Sequence, residues 1–230
     1  MQNVLITFYI RKYILINIIF SVFFICISFN AFSQDFSTSG GNSVDVLASG
    51  GYTVITIQNS QYIGYSAVAK VLFPFSGSKD FSVGLGVKYD NASYSPSSTN
   101  GQVTYTHQYD TLMVGIDLGY KLNFSWLLVL LNPYIYYSLY DTWLQTTDTP
   151  TYQQTYSPYI IHNLNYGTGL HFLFKIALDS GTGIYFGPSA FYSGGYIVYQ
   201  NATDSKGNKY SGGEGSYSLY SANFTIGMYF

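Results

Sequence analysis

Charge is what this sequence has least of. Only 9% of its 230 residues are Asp, Glu, Lys or Arg, where a soluble domain carries roughly 25%. The net charge is −2 and Arg11 is the sole arginine, so no basic surface exists to hold phosphates, and nucleic acid is excluded as a partner. Cysteine is equally scarce, with Cys26 the only one. Long apolar runs are missing beyond residue 34, where the longest, Trp126 to Leu131, is far too short for a membrane helix. A hydrophobic fraction of 47% excludes disorder, and the want of charge excludes a coiled coil. Aromatic residues take the place of charge. They make up 20% of the chain, with 26 Tyr and 17 Phe beside 23 Gly, a composition suited to β-strands and membrane interfaces.

The N-terminal segment differs from the rest. Arg11 and Lys12 precede an almost wholly apolar stretch from Tyr13 to Phe29, followed by Ala31-Phe32-Ser33 and then Gln34. Basic, apolar and small-residue regions in that order predict a secretory signal peptide, residues 1–33, cleaved after Ser33. A transmembrane anchor is the alternative. Cys26 follows Ile25 rather than a small residue and makes a poor lipoprotein acylation site. Processing would leave no thiol, and so no disulfide or thiolate metal site. Residues 34–230 then form a single domain.

The period of that domain is two. Tyr220, Ala222, Phe224, Ile226, Met228 and Phe230 fall on one face, with Ser221, Asn223, Thr225, Gly227 and Tyr229 on the other. Residues 112–122 and 81–90 repeat the pattern. Less regular runs at 44–58, 62–73, 127–140, 159–176 and 183–199 bring the count to eight strands. Connections at 59–61, 74–80, 123–126 and 177–182 are short, whereas those expected at 91–108, 141–158 and 200–214 are long and polar. The expected fold is all-β, an eight-stranded antiparallel transmembrane up-and-down barrel with both termini on the short-turn side. An eleven-residue strand at ~3.3 Å per residue, tilted by about 40°, spans roughly 28 Å, close to the apolar band of an outer membrane.

Composition orients the faces. A soluble barrel needs a charged exterior, but here the polar face carries Gly, Ser and Asn with a few isolated charges, so it is assigned to the interior. Lys70, Lys88, Lys121 and Lys175 then face inward with Asp90 and Asp117, and buried charges need partners, which predicts an internal ion-pair network. Gly84, Gly86, Gly115, Gly119, Gly167 and Gly169 would leave room there for Tyr134 and Tyr136. Eight strands leave an interior about filled by side chains, without a wide channel.

The signal, the eight amphipathic strands and the last strand, ending Phe224-Thr225-Ile226-Gly227-Met228-Tyr229-Phe230, resemble small outer-membrane β-barrel proteins of Gram-negative bacteria, of the OmpA, OmpX or OmpW type. The resemblance implies that Phe224, Ile226, Met228 and Phe230 are a signal read by the barrel assembly machinery, with outer-membrane lipid as the surrounding partner. Asn132-Pro133-Tyr134-Ile135-Tyr136-Tyr137 and Gly187-Pro188-Ser189-Ala190-Phe191-Tyr192 resemble each other and similar strands of such barrels. These motifs specify architecture, not activity.

Chemistry is sparse. His162-Asn163-Leu164-Asn165 resembles the His-x-Ser-Asn stretch of outer-membrane lipid A deacylases, but Leu164 stands where the nucleophilic serine would be, so the histidine has nothing adjacent to activate. His107 is expected in a long loop and His171 on an inward face, without spacing for metal ligation. No catalytic, cofactor or metal residue is assigned. An omptin-like protease would need more strands. The Tyr, Ser and Thr of segments 91–108 and 141–158 have the composition of adaptable recognition surfaces. The expected function is therefore a non-enzymatic, porin-like integral outer-membrane barrel with a structural, adhesive or surface-recognising role. The alternatives are an OmpW-like barrel transporting a small apolar ligand and a secreted soluble barrel that binds one.

Overall fold

The structure is a computed structural model describing residues 43–57, 59–75, 78, 80–94, 104–148, 153–156, 160–178, 181–199, 202–203, 209–210 and 212–230. The expected signal peptide lies outside the described residues. Strands follow one another as β1 (Asp45–Ile57), β2 (Ser60–Pro74), β3 (Phe81–Tyr94), β4 (Thr104–Asn123), β5 (Leu127–Asp148), β6 (Gln153–Tyr156), β7 (Ile160–Ala177), β8 (Gly183–Tyr199), β9 (Ala202–Thr203), β10 (Lys209–Tyr210) and β11 (Gly213–Tyr229). Eight of them close a ring in the order β1-β2-β3-β4-β5-β7-β8-β11, every pair antiparallel, with β11 returning to β1. This is the expected eight-stranded barrel. The short β6 pairs antiparallel with the last residues of β5, and β9 pairs with β10 as a separate two-residue ladder.

Alternation builds the wall. Side chains of successive residues point to opposite faces, and the burial of β2 alternates through its length, with Tyr62, Ser66, Val68, Lys70 and Leu72 inside and Ile63, Tyr65 and Phe73 outside. The register of the first strand is set on both sides, by Asp45 opposite Tyr229 on β11 and Asp45 opposite Leu72 on β2. Asn59 turns the chain between β1 and β2 with φ 69°, a conformation asparagine tolerates better than most residues.

The long polar connections are shorter than expected, because part of each is strand. β3 continues to Tyr94, β4 begins at Thr104, β5 continues to Asp148 and β11 begins at Gly213. Thr, Tyr and Gln pair as strand beyond the apolar belt, where the outer face turns polar and the period-two signal fades. His107, expected in a loop, lies on β4 opposite Tyr94 of β3.

Candidate functional site

Two apolar clusters bracket the barrel interior. At the end carrying the termini, Leu47, Leu72, Leu128, Leu130, Leu173 and Tyr185 pack together, four of the leucines with no solvent exposure. At the opposite mouth, Ile55, Ile57, Tyr62, Tyr109, Trp143, Ile160, Ile197, Tyr217 and Leu219 form a second cluster. Between them lie the buried polar groups, which must find partners within the barrel.

Lys70 is the hub of the lower polar level. Its Nζ lies 3.5 Å from Asp117 Oδ1, donates to Asn132 Oδ1 and stands 3.3 Å from His171 Nε2. Tyr136 donates to Asp117 Oδ2 at 2.6 Å. Glycine makes this possible, since a side chain at Gly86 or Gly115 would collide with Tyr136. An ammonium only donates, so His171 Nε2 accepts and Nδ1 carries the proton. Nδ1 lies 2.6 Å from Ser189 Oγ and 3.3 Å from Thr225 Oγ1, and Ser49 Oγ completes the chain 2.7 Å from Thr225 Oγ1. A serine beside a histidine suggests a nucleophile and its base, yet this tautomer donates toward Ser189 and cannot take its proton. Both residues are also buried.

The upper level is organised by Lys88. Its Nζ lies 2.9 Å from Asp90 Oδ2 and donates to Asn165 Oδ1 at 3.2 Å, with the Tyr134 ring centroid 5.9 Å away. Asn165 donates onward to Ser193 Oγ and Tyr217 OH, and Tyr217 donates to Asn163 Oδ1 at 2.9 Å. Asn163 in turn donates to Asp141 Oδ1 at 2.7 Å. A third ion pair, Lys121 with Asp45, sits beside the leucine cluster, where Tyr185 donates to Asp45 Oδ1 at 3.2 Å.

Lys70, Lys88, Lys121, Asp90 and Asp117 are thus inside the barrel and, with Asp45, form three separate pairs. Lys175 is not with them. It sits at the rim, partly exposed, and donates to Asn123 Oδ1 at 2.9 Å, because inward parity so near the strand end no longer means burial. Phe224, Ile226 and Met228 project outward from β11, and Phe230 follows its end. His162 also faces outward and is hydrogen-bonded to Tyr137. Sequence reasoning missed Asp45, Asn132, Asn163, Asn165, Ser189 and Thr225. Inward parity of an amide or hydroxyl was the available signal. Among the described residues no cluster of His, Cys, Asp or Glu is arranged to hold a metal.

The exterior reverses the interior. Tyr52, Tyr65, Tyr137, Tyr166, Tyr192 and Tyr220 stand outward and exposed on six strands. Eight residues from Tyr65, Tyr166 and Tyr220 along the same strands stand Phe73, Phe174 and Met228, also outward, a separation of roughly 20 Å along the barrel axis at the usual rise and tilt. Between the two rings the surface carries Val83, Leu85, Ile116, Leu118, Ile135, Leu170, Phe172, Phe224 and Ile226. A continuous apolar belt between aromatic rings around a polar interior is the wall of a barrel in lipid. The architecture is that of an outer-membrane β-barrel.

In fold the chain is similar to solved outer-membrane barrels. Ail, the attachment invasion locus protein of Yersinia pestis, is 9% identical with a TM-score of 0.39, over 83% of this chain and 100% of that one. A major outer membrane protein from Thermus thermophilus is 15% identical with a TM-score of 0.44, over 82% of this chain and 100% of that one. The outer membrane protease OmpT from Escherichia coli is 9% identical with a TM-score of 0.37, over 83% of this chain and 98% of that one. No protein-family model matches the sequence, and no curated protein matches it significantly.

Proposed function

We propose that this protein is a non-enzymatic integral protein of a bacterial outer membrane, with a structural, adhesive or surface-recognising role carried by the strands that continue past the tyrosine ring. The observation that carries this reading is the pairing of an apolar outer belt with a closed polar interior. The outer face needs hydrocarbon around it. The interior, with its lysines ion-paired and an apolar cluster at either end, favours a scaffold over a conduit. In this reading residues 1–33 direct export and are cleaved, and the outward residues Phe224, Ile226 and Met228, with Phe230, engage the barrel assembly machinery.

The test is fractionation of cells expressing the full chain, followed by gel electrophoresis of the membrane fraction with and without boiling. Detergent-dependent extraction, a heat-dependent change in mobility and a mature N-terminus at Gln34 are expected. A buffer-soluble protein with one mobility would replace this reading with the secreted ligand-binding barrel.

A further inference from the structure

The outer wall is interrupted near the end that carries the termini. β4 and β5 pair Asp117 with Tyr134 and Tyr120 with Leu131, but the two positions between them are not paired. The register puts Leu118 opposite Pro133, which has no N–H to offer. Asn132 supplies the missing donor from inside, its Nδ2 reaching the Leu118 carbonyl at 2.7 Å. Outside this repaired rung the wall is indented by a cleft of about 620 Å³, whose lining includes Phe75, Phe81, Val83, Tyr120 and Leu131 together with Leu118 and Pro133 themselves. Phe81 and Tyr120 form one side, their ring centroids 5.0 Å apart.

We propose that this cleft seats one acyl chain of a membrane phospholipid. The inference rests on the outer-membrane reading above. Its occupant follows from where the cleft opens and what it offers. The cleft is continuous with the apolar belt, so the bilayer is what reaches it. The side chains around it are predominantly hydrocarbon, the carbonyl left open by Pro133 is engaged by Asn132, and Ser82 Oγ is turned to the Gly119 carbonyl, so the lining offers little beyond the Tyr120 hydroxyl to a headgroup or a peptide. A chain lying in this indentation meets more aromatic and aliphatic surface than one on the flat parts of the wall or in the smaller hollow of about 460 Å³ between Tyr52, Leu170, Tyr192 and Tyr220. That difference makes the site longer-lived than the general lipid annulus.

The experiment uses the processed full barrel, reconstituted in vesicles of phosphatidylethanolamine and phosphatidylglycerol, re-extracted in mild detergent and weighed by native mass spectrometry. The wild-type barrel is expected to keep one phospholipid. Val83→Trp places an indole in the cleft and is expected to lower that retention by about tenfold. Leu85→Trp, at the next outward position of β3 and outside the cleft lining, is expected to leave it unchanged. Equal retention by the Val83 variant, or none by the folded wild-type barrel, overturns the proposal. A wild-type dimer that Val83→Trp dissociates assigns the cleft to a second copy and overturns it as well. Heat-dependent mobility, measured on each sample, separates these outcomes from failure of the membrane reading, in which the wild-type chain shows no shift and needs no detergent.

Discussion

Pro133 removes a backbone donor from the middle of a barrel strand, and Asn132 and Lys70 absorb the consequence. The Asn132 amide donates to Leu118 on one side and accepts from Lys70 on the other. Asn132→Ala leaves a buried carbonyl and deprives a buried ammonium of one of its partners. Unsatisfied groups of this kind cost about 1–3 kcal/mol each, so a loss of roughly 2–4 kcal/mol is expected in urea unfolding from lipid vesicles. A change within experimental error would mean that Leu118 and Lys70 find other partners. Asp117→Asn removes the countercharge of Lys70, and breaking a buried pair destabilises by about 3–5 kcal/mol. An unchanged unfolding midpoint would show that Asn132 and His171 suffice to hold the ammonium. Parity in the sequence was enough to put Lys70, Lys88 and Asp117 inside, because the period of a strand is two and a single charge on a known face has one place to go. It gave no sign of which carboxylate meets Lys70, since those partners lie on strands distant in the chain, Asp117 on β4 and His171 on β7, whereas Lys88 meets Asp90 two residues along its own strand. Asn132 was more legible than it was read, for an asparagine before a mid-strand proline is a side-chain donor next to an orphaned carbonyl.

At the scale of elements, the strands were legible where one face meets hydrocarbon and illegible where neither does. β3 and β4 were foreseen over their apolar lengths but not over Asn91–Tyr94 and Thr104–Thr111, where Tyr89, Asn91 and Gln108 all donate to Asp110 on the outer side of the wall. That outward polar cluster marks where the belt ends. Beyond it, the tip of the β3–β4 pair is held by a ring of aromatic groups, Tyr62, Tyr94 and His107, with Tyr62 OH 3.2 Å from His107 Nδ1. Burial holds His107 below the ordinary histidine pKa of 6.5. A base so depressed takes its proton more readily when the tip is open. Closure is therefore unpenalised above pH 6.5 and weakened as pH falls from there toward the folded pKa. Amide exchange at residues 92–94 and 106–109, corrected for intrinsic rates, is expected to accelerate relative to the belt between pH 7.5 and about 5. His107→Gln should flatten that dependence. The seam where β1 meets β11 is a second element-scale test. A side chain at Gly51 would collide with the backbone of Ala222 and with Asn223, so Gly51→Val is expected to prevent closure and abolish the heat-dependent gel shift. A shift that survives would mean the seam can widen.

For the whole molecule, the order of layers along the axis decides whether ions pass. From the end with the termini a solute would meet the Lys121–Asp45 pair, the leucine cluster, the Lys70 level, the stacked rings of Tyr134 and Tyr136, the Lys88 level and finally the aromatic and aliphatic mouth cluster. Both polar levels are enclosed by apolar layers, and a hydrophobic constriction resists ion passage by excluding water. Their lysines act as internal cross-links between strands, Lys70 to Asp117 and Lys88 to Asn165. In planar bilayers the wild-type barrel is therefore expected to show no steady conductance, whereas a porin-like pore would show discrete steps. Replacing Leu128, Leu130 and Leu173 together by alanine removes much of the lower cluster without adding charge. Such truncations cost about 2–5 kcal/mol each when buried, so the variant must first pass the heat-shift test for a folded barrel. If it does, and conducts only when the mouth is also thinned by Leu219→Ala and Ile197→Ala, the two clusters are independent seals. Conductance from the lower substitutions alone would mean that the mouth cluster opens spontaneously and that the leucines are the principal barrier. Conductance in the wild-type chain would refute the sealed interior, and with it the preference for a scaffold over a conduit.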